Sequence, residues 1–173
     1  MTVKAIRFVV PGRPVPMPRA RIVLGREWPH GYVPAAARRA QERIACAFLA
    51  AQSLAGMEPT VLASWEGPVF LSIVALWRCK AGGIKERAAA EAEGQPRCAR
   101  PDWDNVGKLV SDALSGIAYE DDAQVDALVL RRYGPRDELR VTVTYGTLTR
   151  AQVAGLPACN AQAGIPAEGE PVR

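Results

Sequence analysis

Histidine occurs once in the chain, at His30, and no two of the four cysteines, Cys46, Cys79, Cys98 and Cys159, stand at Cys-x-x-Cys spacing. A zinc site needs a full set of imidazole and thiolate ligands at such spacings, so none is expected. No run of 18 apolar residues is present, which excludes a membrane-spanning helix. Met1-Thr2-Val3-Lys4-Ala5-Ile6 begins a strand-like alternation rather than a signal peptide. The thiols are therefore expected to be free in a reducing cytoplasm, with Cys46, inside a helical pattern, in the core. Internal repeats, a second domain and a glycine-rich nucleotide-binding unit are missing too. What remains is 173 residues, enough for one domain with its own core. The chain is 49% hydrophobic and 23% charged, with a net charge of +4. Its pI near 9.1 suits a polyanionic partner.

The expected elements run in the order β-α-β-α-β-β. Residues 3–10 read as a strand, and residues 11–21 hold four prolines that forbid a helix or a central strand, leaving an extended surface loop. That loop carries Arg13, Arg19 and Arg21, with Arg26, Trp28, His30 and Tyr32 after it; arginine forks grip phosphates, and exposed aromatics stack on bases. Pro34 starts a helix over about 35–55, with Ala37, Ala40, Ile44, Phe48 and Ala51 at helical spacing. Residues 68–77 are apolar on both faces and predict a central strand. Residues 80–100 form a polar insertion with Lys80, Lys85, Arg87, Arg97 and Arg100 beside the stretch that follows. Residues 125–133 and 139–145 read as two strands joined at Gly134-Pro135-Arg136-Asp137 and pairing back as a hairpin. The fold expected is a single α+β domain over 1–146, a small mixed sheet with helices packed on it. Residues 147–173, without a period, are expected to be a weakly ordered tail.

One stretch organises the rest, Arg100-Pro101-Asp102-Trp103-Asp104-Asn105-Val106-Gly107-Lys108-Leu109-Val110-Ser111-Asp112-Ala113-Leu114-Ser115-Gly116, followed by Ile117-Ala118-Tyr119-Glu120-Asp121-Asp122-Ala123-Gln124-Val125. Trp103, Val106, Val110, Leu114 and Ile117, with Leu109 and Ala113 beside them, predict one buried stripe on a helix that starts near Asp102. Gly116 is placed to end it in a left-handed conformation. Asp104, Lys108 and Asp112 fall on the other face. Asp102 stands at the helix mouth, and a short return from the helix end offers a way to bring Asp121 and Asp122 beside it.

Each of these residues has a plain structural role open to it: Asp102 as an N-cap, Asp104 against the helix dipole, Lys108 as a surface partner of Asp104, and Asp121 and Asp122 as a polar turn. Taken together, the carboxylates point to a divalent metal. Crowded carboxylates repel by a few kcal/mol per pair at about 4 Å and an effective dielectric of about 20, and Mg²⁺ favours one or two of them with water and phosphate oxygens. With Lys108 one turn from Asp104, the set fits metal-assisted phosphodiester hydrolysis.

Pro-Asp-x-Asp-Asn-x-x-Lys, then Asp-Ala-Leu-Ser-Gly, then Tyr-Glu-Asp-Asp-Ala-Gln-Val resembles the RusA family of Holliday junction resolvases. The resemblance covers most of 1–146 and is densest from Arg100 to Tyr133. The opening Gly-x-Pro-x-Pro-x-x-Arg-x-Arg is similar as well, with Met17 and Ala20 where a lysine and a proline are common. The resemblance implies a homodimeric, Mg²⁺-dependent endonuclease that cuts four-way and other branched DNA symmetrically, with no small-molecule cofactor. It implies that Asp102, Asp104 and Asp122 are catalytic and hold Mg²⁺, that Lys108 acts beside them, and that the neighbouring Asp121 has a lesser part. Arg13, Arg19, Arg21, Lys80, Lys85, Arg97 and Arg100 are the expected DNA contacts. Two rival readings stay open: a branched-DNA-binding module with a vestigial metal site, and a nucleotide-sugar transferase using Asp102-x-Asp104 on a metal diphosphate.

Overall fold

The computed structural model describes residues 4–18, 21–24, 29–58, 65–78 and 95–147. The elements are β1 (Lys4–Pro11), β2 (Arg21–Leu24), β3 (Pro29–Tyr32), α1 (Ala35–Leu54), β4 (Val69–Arg78), α2 (Trp103–Leu114), β5 (Val125–Gly134) and β6 (Glu138–Tyr145), with a 3₁₀ turn at Asp122–Gln124 before β5. The protein is an α+β domain built on a mixed four-stranded sheet. Most of the insertion, residues 79–94, and the tail from residue 148 lie outside the described residues. No helix among the described residues is long and apolar enough to cross a membrane.

The sheet order is β1-β6-β4-β5. β4 is buried at every position but its last, as its two apolar faces predict, and so has a ladder on each side. β5 runs parallel to it through the α2 crossover, and β6 runs antiparallel on the other side. β5 and β6 therefore do not pair as the expected hairpin; β4 lies between them. The turn at 135–137 straddles the end of β4. There the Asp137 carboxylate accepts the Arg78 N–H at 2.8 Å, and the Asp137 carbonyl accepts the Gly12 N–H at 2.9 Å. β6 also pairs with β1, whose alternating burial marks a strand with one wet face.

β2 and β3, where no strand was expected, form a separate antiparallel pair, Arg21 opposite Tyr32. The prolines that forbid a strand stop at Pro18, and Ile22-Val23 is β-branched.

Both helices lie on the sheet and on each other. α1 starts after Pro34 and buries Ala37, Ile44, Phe48 and Gln52, with the Phe48 ring edge-on to Phe8 at 5.9 Å. Cys46 is exposed, not in the core. Two residues past Ile44 it is turned about 200° from that stripe, at about 100° per residue.

α2 buries Val106, Leu109, Val110, Ala113 and Leu114. Trp103, expected on the same stripe, is 61% exposed, because α2 packs only from Val106 onward. Gly107 lets the helix lie close on β5: a Cβ there would meet Val129 Cγ2 at 3.1 Å. α2 ends at Leu114, and Gly116 takes the expected left-handed conformation, φ 73°. Its N–H then donates to the Tyr119 carbonyl at 2.8 Å, which closes the return.

Candidate active site

Asp102 is the residue before α2, in extended conformation, and its side chain makes no capping hydrogen bond. Asp102 lines a groove of about 500 Å³ with Pro16, Met17, Arg100, Pro101 and Asn105. Asp104, in the first turn, is exposed and accepts from the Asn105 side-chain amide at 3.4 Å. The proline-rich loop forms the opposite wall and is tied to the helix, since the Met17 N–H donates to the Asn105 carbonyl at 2.8 Å. The two aspartates thus sit two residues apart at the positive end of a helix, where negative charge is favoured.

Arginines surround this end. Arg100 is exposed on the groove. Arg97 lies over the Trp77 ring at 4.4 Å and donates to the Ala99 carbonyl at 2.7 Å. Burial lowers the Arg97 pKa below its ordinary value; Tyr133 opposes this, and the charges of Arg13 and Arg131 add to the lowering. Arg13 and Arg131 are therefore near enough to Arg97 for their charges to act on it. Residues 95–97 run antiparallel along the outer edge of β5, with the Arg97 N–H on the Arg131 carbonyl at 2.9 Å and the Tyr133 N–H on the Gln95 carbonyl at 3.0 Å. Arg43, on α1, donates to the Pro11 carbonyl. Of the other expected contacts, Arg21 opens β2, while Arg19, Lys80 and Lys85 lie outside the described residues.

Lys108 is exposed, with its ammonium 3.4 Å from Asp112 rather than from Asp104. Asp121 caps the 3₁₀ turn, its carboxylate accepting the Ala123 N–H at 2.8 Å. Asp122, the first residue of that turn, is exposed. Gln124 fixes the turn: its amide donates to the carbonyls of Trp65 at 2.6 Å and Gly67 at 2.9 Å, and its oxygen accepts the Asp121 N–H at 2.9 Å. The residues Asp121-x-x-Gln124 spell a capping box, which is the signal that marks Gln124 in the sequence.

The return from α2 leaves Asp122 at the far end of the helix from Asp102. Asp122 precedes Val125, the start of β5, whereas the Arg131 side chain, six residues up that strand, reaches the Pro101 carbonyl at 2.7 Å. At about 3.3 Å per strand residue the two ends are separated by about 20 Å. Tyr119 marks the far end. Its buried hydroxyl donates to the Ser111 carbonyl at 2.9 Å and lies 3.2 Å from the Ser111 hydroxyl. Burial pushes its pKa up to about 12; the Ser111 hydrogen bond opposes this, and Asp122 and Asp112 add to it. Among the described residues of one chain, no three histidine, cysteine or acidic side chains gather so as to hold a metal ion.

The arrangement is thus two acids at a helix mouth, a groove lined by Asp102 and Arg100, and a pinned acidic turn one helix length away. A search among curated proteins finds no match. A family model described as Endodeoxyribonuclease RusA matches residues 11–144, a span that contains the groove, α2 and the acidic turn. With most of its length matched, the chain belongs to the RusA endodeoxyribonuclease family.

Proposed function

We propose that this endodeoxyribonuclease resolves Holliday junctions and other branched DNA by Mg²⁺-dependent phosphodiester hydrolysis, working as a homodimer whose subunits place paired symmetric nicks. Nuclease activity of the Holliday junction resolving kind follows from the family. The metal, the dimer, the paired cuts, and a role in recombination and repair within the cytoplasm are the parts proposed. The observation that carries the reading is that Asp102, whose side chain makes no capping bond, lines a groove with Arg100, while Asp104 stands in the first turn of the same helix.

Asp102 and Asp104 are hard oxygen donors of the number that Mg²⁺ takes from protein, the rest of its shell being water and phosphate oxygen. They fit that ion, which when bound supplies positive charge against the phosphoryl oxygens. Asp122 would join them from a second copy of the chain. Its place at the other end of α2 is what two copies related by a twofold axis need in order to set the Asp122 of each beside the Asp102 and Asp104 of the other.

Arg100 and Arg13 hold phosphates of the DNA arms in this reading, and Arg97 steadies the loop that leads to Asp102. Water adds to the phosphorus and passes a proton to a carboxylate of the acid pair, the bond to the leaving sugar oxygen breaks, and that oxygen takes up a proton from solvent. Lys108 gives its charge to the phosphoryl oxygens. Its contact with Asp112 is a surface pair of small worth, so the ammonium is free to turn to the phosphate. No side-chain nucleophile is required.

The test is cleavage of a synthetic four-way junction and a matched linear duplex, with Mg²⁺ or EDTA, by wild type and Asp104→Asn. Paired nicks on the junction alone, lost in EDTA and in the variant, are expected. Binding without cutting by the wild type would instead favour a non-catalytic junction-binding module.

A further inference from the structure

We infer that Arg131, on β5, is a positioning residue that holds Asp102 in place for the reaction; the inference rests on the nuclease reading above. Arg131 Nη1 donates to the Pro101 carbonyl at 2.7 Å and to the Ala99 carbonyl at 3.1 Å. The Pro101 carbonyl belongs to the peptide that begins Asp102, so the guanidinium grips the backbone directly before the carboxylate. Asp102 needs that grip. Its side chain makes no capping bond, and the first helical bond, from the Val106 N–H to the Asp102 carbonyl, is long at 3.4 Å.

The other side of the helix mouth is fixed by the Met17 N–H on the Asn105 carbonyl. The N-terminal side depends on arginine. The Ala99 carbonyl takes donors from both Arg97 and Arg131, and the Arg131 carbonyl takes the Arg97 N–H. Strand alternation places Arg131 on the same face of β5 as Val129, the face against Gly107 of α2. Both bonds leave one nitrogen, whose two N–H groups are held in the guanidinium plane at the end of a long side chain. A lysine keeps the charge but offers a compact ammonium without that plane. Arg131 need touch neither phosphate nor metal to act in this way.

The experiment compares wild type, Arg131→Lys and Arg131→Met by three readouts: hydrogen exchange of the metal-free protein, junction binding in EDTA, and junction cleavage across a Mg²⁺ titration. Backbone amides of 106–108, the first with helical partners, are expected to exchange faster in both variants. Binding in EDTA should stay close to wild type. Cleavage at fixed Mg²⁺ should fall by about 10- to 100-fold, with the half-saturating Mg²⁺ concentration raised, as when a residue supporting a metal ligand is lost. Arg131→Lys should lie between wild type and Arg131→Met, and it decides the matter alone if Arg131→Met does not fold. Unchanged exchange and an unchanged Mg²⁺ curve in Arg131→Lys would overturn the inference. So would a loss of binding in step with the loss of cleavage, which would make Arg131 a phosphate contact. A wild type that leaves the junction uncut overturns the nuclease reading and the catalytic part of this one with it, whereas unchanged exchange beside an active wild type overturns the clamp alone.

Discussion

The side-chain amide of Gln124 donates to the backbone carbonyl of Trp65 at 2.6 Å, and so ties the acidic turn before β5 to the segment that leads into β4. A second donation to Gly67 and acceptance of the Asp121 N–H make three hydrogen bonds from one side chain. At about 1 kcal/mol each, Gln124→Ala should cost about 1–3 kcal/mol in chemical denaturation. It should also slow junction cleavage by loosening Asp122, with binding in EDTA unchanged. A variant as stable and as active as the wild type would refute the pinning role.

Tyr119 makes stability fall at high pH. An unfolded tyrosine loses its proton near pH 10, and the native one holds it to about 12. Between those values the native state binds more protons than the unfolded state, so stability declines as pH rises, by at most about 2.7 kcal/mol from this residue. Burial raises the Tyr145 pKa too, and adds a slope of the same sign. Denaturation of Tyr119→Phe across pH 9–12 should show a shallower decline than wild type, from a lower starting stability. Parallel curves would contradict the assignment.

Lys108 separates function from stability. Its pair with Asp112 joins a side chain 62% exposed to one 24% exposed, a contact worth about 0–1 kcal/mol. Lys108→Met should therefore leave the melting temperature nearly unchanged and reduce cleavage strongly. Asp112→Asn should cleave almost as wild type. Equal losses in the two variants would show that the ion pair, not the free ammonium, matters.

Trp103 and Phe48 make a matched contrast in packing. Phe48 is fully buried against Phe8, and Phe48→Ala should cost about 3–5 kcal/mol. Trp103 is the larger ring but is mostly in solvent, so Trp103→Ala should change stability by no more than about 0.5 kcal/mol. Urea midpoints of the two variants check both values.

Local pattern carried much of the fold and the outline of the site. The apolar period from Val106 to Leu114 specified α2 and the side of it that carries Asp104 and Lys108. Two apolar faces made β4 central, and Pro34 and Gly116 marked helix boundaries. Sheet order was not legible. That β4 needs two neighbours is local information; that β6 rather than β5 lies between β4 and β1 depends on contacts far apart in the chain. The distance from Asp102 to Asp122 was hidden for a like reason. Only 20 positions separate them in sequence, but Tyr119 packs beside Ser111 and stops the return at the end of the helix. Arg131 carried no signal, since a strand arginine reads as surface charge until its carbonyl partners are known. Cys46 was within reach of the sequence, because its angle from Ile44 and Phe48 already turns it outward.

The nuclease site proposed above is shared between two copies of the chain, Asp102 and Asp104 coming from one and Asp122 from the other. The most direct measurement mixes Asp102→Asn with Asp122→Asn, refolds them together and assays four-way junction nicking. Each variant alone should be inactive. In a mixed dimer, one site receives both substitutions and the other receives Asp102 and Asp122 intact, so the account predicts that nicking returns, on one strand per junction. A mixture as inactive as its parts, under conditions where wild type refolded in the same way cuts both strands, would contradict it.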